Sequence, residues 1–272
     1  MQMKVNILNK VAVVTGGAGV LCSAMSKMLA EQGARVAVLD LRRSDAKKIA
    51  DEIISSGGTA IGLEVNVLDR ESIEAAKEVI IKEYGTVDIL INGAGGNSPL
   101  ATTGPDLSFF DLNSDAIQKI MNLNFMGTVL PTQVFGKIMA ENDSGVIINI
   151  SSMAAIRPLT KTIAYSAGKA AISNFTQWAA VHFNQEYSKN IRVNAIAPGF
   201  LLTDQNRYLL TDEKTGESTE RGKKILANTP MDKYGVPEDL LGIILFLCSE
   251  AASFVNGAVI PVDGAFSAYS GV

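Results

Sequence analysis

Seven short apolar runs recur along the 272-residue chain: VAVVT, RVAVLD, AIGLEVNV, VDILIN, GVIINIS, IRVNAIA and AVIPVD. Helical periodicity fills the gaps between them. Runs without a polar face must be covered on both sides, and a helix between consecutive runs returns the chain to the same end of a sheet. The alternation therefore predicts an α/β fold, a doubly wound parallel sheet of about seven strands in a single domain spanning residues 1–272. The helical patterns cover 20–32, 44–56, 70–84, 114–141, 163–187 and 237–249, and a hydrophobic content of 47% supplies the core.

Two stretches break the rhythm. Residues 95–113 follow the fourth run and residues 203–230 follow the sixth. Both leave the carboxyl edge, where sheets of this kind bind ligands, so both are candidate substrate loops. The charged part, 212–224, also fits a solvated excursion.

Composition excludes several classes. A net charge of -4 without a long Lys/Arg cluster leaves no footprint for nucleic acid. The longest apolar stretch, LLGIILFLC, is too short to span a bilayer, and the first strand begins too early for a signal peptide, so a cytoplasmic protein is expected. Cys22 and Cys248 sit in dissimilar settings and read as reduced, packed thiols. The sole histidine, His182, lies in the helix-like TQWAAVHFNQEY and suits packing or an interface; no metal site is expected.

The stretch TGGAGVLCSAM, residues 15–25, sits between a strand and a helix, where a dinucleotide-binding turn belongs. The general G-x-G-x-x-G pattern fits as Gly17, Gly19 and then Cys22, so the last glycine is missing. Asp40 ends the second strand 24 positions after Gly16 and suits the adenosine ribose hydroxyls of a Rossmann-type fold. A carboxylate there repels a 2'-phosphate, which favours NAD(H) over NADP(H), although Arg42 and Arg43 follow closely. Tyr165 and Lys169 are four apart on a predicted helix and share a face. An ammonium beside a phenol favours phenolate, so Tyr165 is a candidate proton shuttle. Ser152 ends the fifth run at the same edge, and Asn124 lies among apolar residues in MNLNFMGT, where its amide needs a partner.

Together these residues resemble the short-chain dehydrogenase/reductase family over nearly the whole chain, from KVAVVTGG to PVDGAF. The resemblance implies that Asn124, Ser152, Tyr165 and Lys169 are the catalytic set. It implies a cofactor site on Gly16, Gly17, Gly19, Val20 and Leu21, with Asp40 at the ribose and Asn66 and Val67 at the adenine. It also brings in Asn92, Ala94 and Gly95 from INGAGG, and Pro198, Leu201 and Thr203 beside the nicotinamide. Val20 and Cys22 stand where the family pattern T-G-x-x-x-G-x-G has glycines, Gly93 replaces an Asn, and Asn66 replaces an Asp. An altered turn that still binds is expected, with Val20 narrowing the phosphate site. The family further implies a homotetramer, and NFTQWAAVHF and FSAYSGV carry apolar residues suited to subunit contacts.

TGGAGVLCS, PLTKTIAYSAGKAA, APGFLLTDQNR and PVDGAFSAYSGV resemble the members of that family assigned as D-mannonate oxidoreductases. The implied substrate is a small sugar acid. Its carboxylate would need a cation, for which Arg157, Lys161 and Arg207 are candidates; Asn97, Gln205 and Ser152 could meet its hydroxyl and carbonyl oxygens. The alternatives are another ketone reductase, such as a gluconate 5-dehydrogenase or a ketoacyl reductase, and a nicotinamide-binding regulatory protein without turnover.

Overall fold

Seven parallel strands form one sheet in the order β3-β2-β1-β4-β5-β6-β7. They are β1 Val11–Thr15, β2 Arg35–Asp40, β3 Thr59–Glu64, β4 Ile89–Asn92, β5 Gly145–Ile150, β6 Ile191–Pro198 and β7 Val259–Val262. The computed structural model describes residues 5–203, 207–212 and 215–271. Its main helices are α1 Val20–Glu31, α2 Arg43–Ser55, α3 Arg70–Tyr84, α4 Ser114–Glu141 and α5 Ile163–Glu186. Three shorter ones follow: α6 Arg207–Leu210, α7 Glu220–Ala227 and α8 Leu241–Cys248.

Alternation along each strand serves two cores at once. Ala12 and Val14 of β1 pack beneath α1, α2 and α8, whereas Val11 and Val13 pack beneath α3, α4 and α5. Burial on both faces is why these runs carry no polar face. Strand β1 pairs with β2 on one side and β4 on the other, so successive crossovers depart in opposite directions from this point. The crevice they leave lies beyond the carboxyl ends of β1 and β4.

The structure shortens the third strand and fills the second loop. β3 stops at Glu64 because the Asn66 side chain accepts from the Leu68 amide and turns the chain toward the Asp69 cap of α3. Within 203–230, α7 is an eight-residue amphipathic helix capped by Thr219, and a bridge between Thr211 and Ser218 closes the excursion before it. In 95–113, Ser98 and Ser108 cap two single 3₁₀ turns. Among the described residues, no helix is long and apolar enough to cross a membrane.

Candidate active site

The turn after β1 is built from backbone. Gly16 has φ 60°, and a Cβ there would lie 2.8 Å from the Ala94 Cα, so β1 and the end of β4 approach more closely than side chains permit. The Gly17 amide donates to the Leu39 carbonyl at 2.9 Å and pins the turn to β2. Gly19 caps α1 without a side chain, and Ser23 is the first residue whose amide bonds back to it, at 2.8 Å. The amides of Val20, Leu21 and Cys22 therefore have no acceptor within the helix and stand at its positive end, a ready site for a pyrophosphate. The Asp40 carboxylate accepts from the Ala18 amide at 3.1 Å and the Arg42 amide at 3.3 Å, which fixes it at the other side of the same turn.

Two departures from the glycine pattern meet here. A Cβ on Gly93 would overlap the Cys22 Sγ, so the thiol fills the notch that the missing side chain leaves. Burial pushes the Cys22 thiol up to about 12, which keeps it neutral, and Cys248 likewise; both are free and buried. Cys22 thus packs into this notch and, with Gly93, borders the cleft.

Beyond the turn lies a cleft of about 500 Å³ that reaches Ser152, Tyr165 and Lys169 on one wall and Pro198, Leu201 and Thr203 on another. Lys169 is buried; its Nζ donates to the Ile150 carbonyl at 2.7 Å and lies 5.7 Å from the centre of the Tyr165 ring. Burial pushes this ammonium down to about 8. Burial also raises the Tyr165 phenol, opposed by a hydrogen bond with Ser152. The four-residue spacing predicts a lowered phenol, whereas burial raises it and the Lys169 ammonium donates to the Ile150 carbonyl.

Asn124 stands behind this wall. Its Nδ2 donates to the carbonyls of Gly96 at 2.8 Å and Ile120 at 2.9 Å, and its Oδ1 accepts from the Gly96 amide at 3.3 Å. A Cβ on Gly95 would lie 2.8 Å from that Oδ1 and 3.3 Å from the Lys169 Nζ. The bare glycine thus leaves the space between amide and ammonium open.

The remaining predicted residues divide. Gly16, Gly19, Val20, Leu21, Asp40, Ala94 and Gly95 line the cleft. Gly17 supports the turn from below. Asn92 is fully buried under the sheet, donating to Thr132 and Asn149, each at 2.9 Å, and does not reach the cleft. Val67 is buried against Gly127, and Asn66 is exposed with its carbonyl engaged in the turn at Leu68. Asn97 is exposed and donates to Thr102. Arg157 donates from Nε to the Ser267 carbonyl, Lys161 borders a separate cavity with Thr103 and Phe109, and Arg207 is exposed at the start of α6. Gln205 lies outside the described residues. Cleft residues not anticipated are Gly96, Ile150, Ser151 and Gly199; Gly96 and Gly199 lie within INGAGG and APGFLLTDQNR, and Ile150 and Ser151 flank the anticipated Ser152.

Residues 10–214 match the model of the short chain dehydrogenase family. The chain belongs to this family. As a short-chain dehydrogenase it is similar to an uncharacterized oxidoreductase of Haemophilus influenzae, 52% identical over 98% of this chain and 96% of the other. A second uncharacterized oxidoreductase, from Bacillus subtilis, is 50% identical and is covered to 98%, as is this chain. Among solved structures, a Haemophilus protein provisionally assigned as a D-mannonate oxidoreductase, with bound NAD, superposes with a TM-score of 0.93 at 51% identity and 98% coverage of both chains. The chain is accordingly an oxidoreductase of a family that uses nicotinamide cofactors.

Proposed function

We propose that this short-chain dehydrogenase interconverts D-mannonate and D-fructuronate in the cytoplasm, using NAD(H) in preference to NADP(H). The cofactor preference rests on Asp40, whose carboxylate is held at the ribose end of the turn by two backbone amides. The substrate reading rests on similarity to the Haemophilus protein provisionally given that activity.

The nicotinamide, when bound, gives or takes the hydride. In reduction, the Tyr165 phenol gives a proton to the new alkoxide, and in oxidation it takes one back; Ser152 donates a hydrogen bond to the same oxygen. Lys169 would hold the nicotinamide ribose, and Asn124 would anchor a water between that ammonium and solvent. Arg207, whose amide donates to the Thr203 carbonyl on the cleft wall at 2.9 Å, is the cation we place at the substrate carboxylate.

One observation favours a second reading. Among the described residues, Lys169 is the only cation lining the cleft, as suits a reductase of an uncharged ketone. The deciding experiment follows nicotinamide absorbance with D-fructuronate, 5-keto-gluconate and dihydroxyacetone, each with NADH and NADPH. Fast NADH oxidation by fructuronate alone supports the proposal. Turnover of another ketone alone keeps the chemistry and removes the substrate.

We also propose a homotetramer. On α5, Phe175, Trp178 and His182 stack in series, with Trp178 and Val181 more than half exposed, an apolar surface suited to a second copy.

A further inference from the structure

We propose that the turn at residues 263–269 is a clasp that positions the substrate side of the cleft, with Arg157 as its anchor. The inference rests on the cleft being the site of ketone chemistry, and it gives Arg157 a role other than holding a carboxylate.

The turn is internally organised by one side chain. The Asp263 carboxylate accepts from the Ala265 amide at 3.0 Å and the Ser267 amide at 2.9 Å, while its carbonyl accepts from Phe266 at 3.1 Å. So tied, the turn touches three segments that are remote in sequence: Gly199 of one lines the cleft, Arg157 lies between the cleft residues Ser152 and Tyr165, and Met231 ends the loop that begins at the cleft residue Thr203. The Arg157 Nε donates to the Ser267 carbonyl at 2.9 Å, and Arg157 sits in the segment between Ser152 and Tyr165. A Cβ on Gly199 would lie 2.6 Å from the Asp263 Cα, and the Phe200 and Phe266 rings meet edge to face at 5.1 Å; both contacts fall just past Pro198. The Met231 amide donates to the Gly264 carbonyl at 3.3 Å, which fixes the exit of the 203–230 loop.

Two of these segments are also tied directly, since the Leu202 amide donates to the Gly235 carbonyl at 2.8 Å and the Gly235 amide to the Phe200 carbonyl at 3.1 Å; the segment that carries Arg157 reaches this pair through the turn. A loop is ordered by the contacts it makes outside itself, and segments joined through one hub lose order together. Arg157 reaches the hub through its backbone carbonyl, so its donor matters and its charge does not. A ligand for a carboxylate would show the reverse.

Hydrogen–deuterium exchange on the full chain tests this without reference to any substrate. In Arg157→Ala, the amides of Gly199, Met231 and Ser267 are expected to exchange together at least about tenfold faster, although the substitution removes the acceptor of none of them. Asp263→Ala should match it, while Gly17 and Ser23 at the cofactor turn keep their protection. Kinetics supply the second arm. Arg157→Ala should raise the KM for D-fructuronate and for neutral dihydroxyacetone by similar factors, with the NADH dissociation constant within about twofold of the parent. Arg157→Gln, which keeps an N–H donor without charge, should restore most of the loss. Unchanged exchange in Arg157→Ala overturns the clasp. So does a defect confined to the anionic ketone that Arg157→Lys repairs and Arg157→Gln does not. If neither ketone is turned over, the substrate proposal fails and exchange alone decides the clasp.

Discussion

The two ends of the cleft are made differently. At the proposed cofactor end, the candidate groups are backbone amides and one carboxylate, carried on β1, α1 and β2, whose positions are set by a sheet with both faces buried. At the proposed substrate end, the walls come from loops after β4, β5 and β6; the first two meet where the Thr103 amide donates to the Lys161 carbonyl, and the last two each touch the turn after β7 through a hydrogen bond or a ring contact. Rigid elements place atoms accurately; loops allow variation. One end can therefore serve a common cofactor while the other sets the substrate.

Tyr165 stands where the two ends join, so its replacement separates binding from chemistry. Tyr165→Phe is expected to lower turnover by about 10³ or more, within the range of lost acid–base catalysis, while NADH still binds as judged by fluorescence titration. Retained turnover would remove Tyr165 from the mechanism. Asp40 probes the cofactor end alone. Asp40→Ala should raise the KM for NADH by roughly tenfold to a hundredfold and narrow the gap to NADPH, leaving the ketone KM within about twofold. A matching change in the ketone KM would mean that the ends are not separable.

The pH profile sharpens the comparison further. Lys169 has its ammonium pushed down to about 8 by burial, while the Tyr165 phenol is raised, so through that window only the lysine changes charge. Reduction needs both protonated, and its kcat/KM should be flat near neutrality and fall by about tenfold per pH unit above 8. The sign for stability is opposite. Between about 8 and 10.5 the unfolded chain holds this proton more tightly than the folded one, so the contribution of Lys169 to stability rises with pH. A rate that falls while the melting temperature holds identifies titration in the cleft; a rate that stays flat to pH 9.5 would place the ammonium elsewhere.

What was legible in the sequence follows the same division. The strands announced themselves through apolar runs, and the candidate catalytic residues through spacings that a helix or strand end converts directly into geometry. Arg157 and Ser267 are 110 positions apart, and no local pattern links them. Asn92 carries the motif of a cleft residue, but its side chain points to the face of β4 covered by α4, donating to Thr132. Spacing alone predicts a lowered Tyr165 phenol, whereas burial, a property of the folded environment, raises it. Cys22 and Gly93 each read as a departure from a pattern, and only the fold shows that they fit one another.

That fit yields the smallest and most local effect. Gly93→Ala must displace the Cys22 thiol, and it also brings a Cβ to 2.9 Å from the Thr15 carbonyl, so the single variant confounds two conflicts. Cys22→Gly leaves the notch empty beneath the amides of Val20 and Leu21. A double-mutant cycle separates these terms, because the conflict with Thr15 is present whether or not the thiol is there. Measured as the NADH dissociation constant, the pair should show a favourable coupling of about 0.5–3 kcal/mol: Gly93→Ala costs less affinity when Cys22 is already Gly. Additive losses would mean that the thiol moves aside freely and that backbone alone holds the turn. A coupling seen in the ketone KM as well would carry the influence of this notch across to the substrate end.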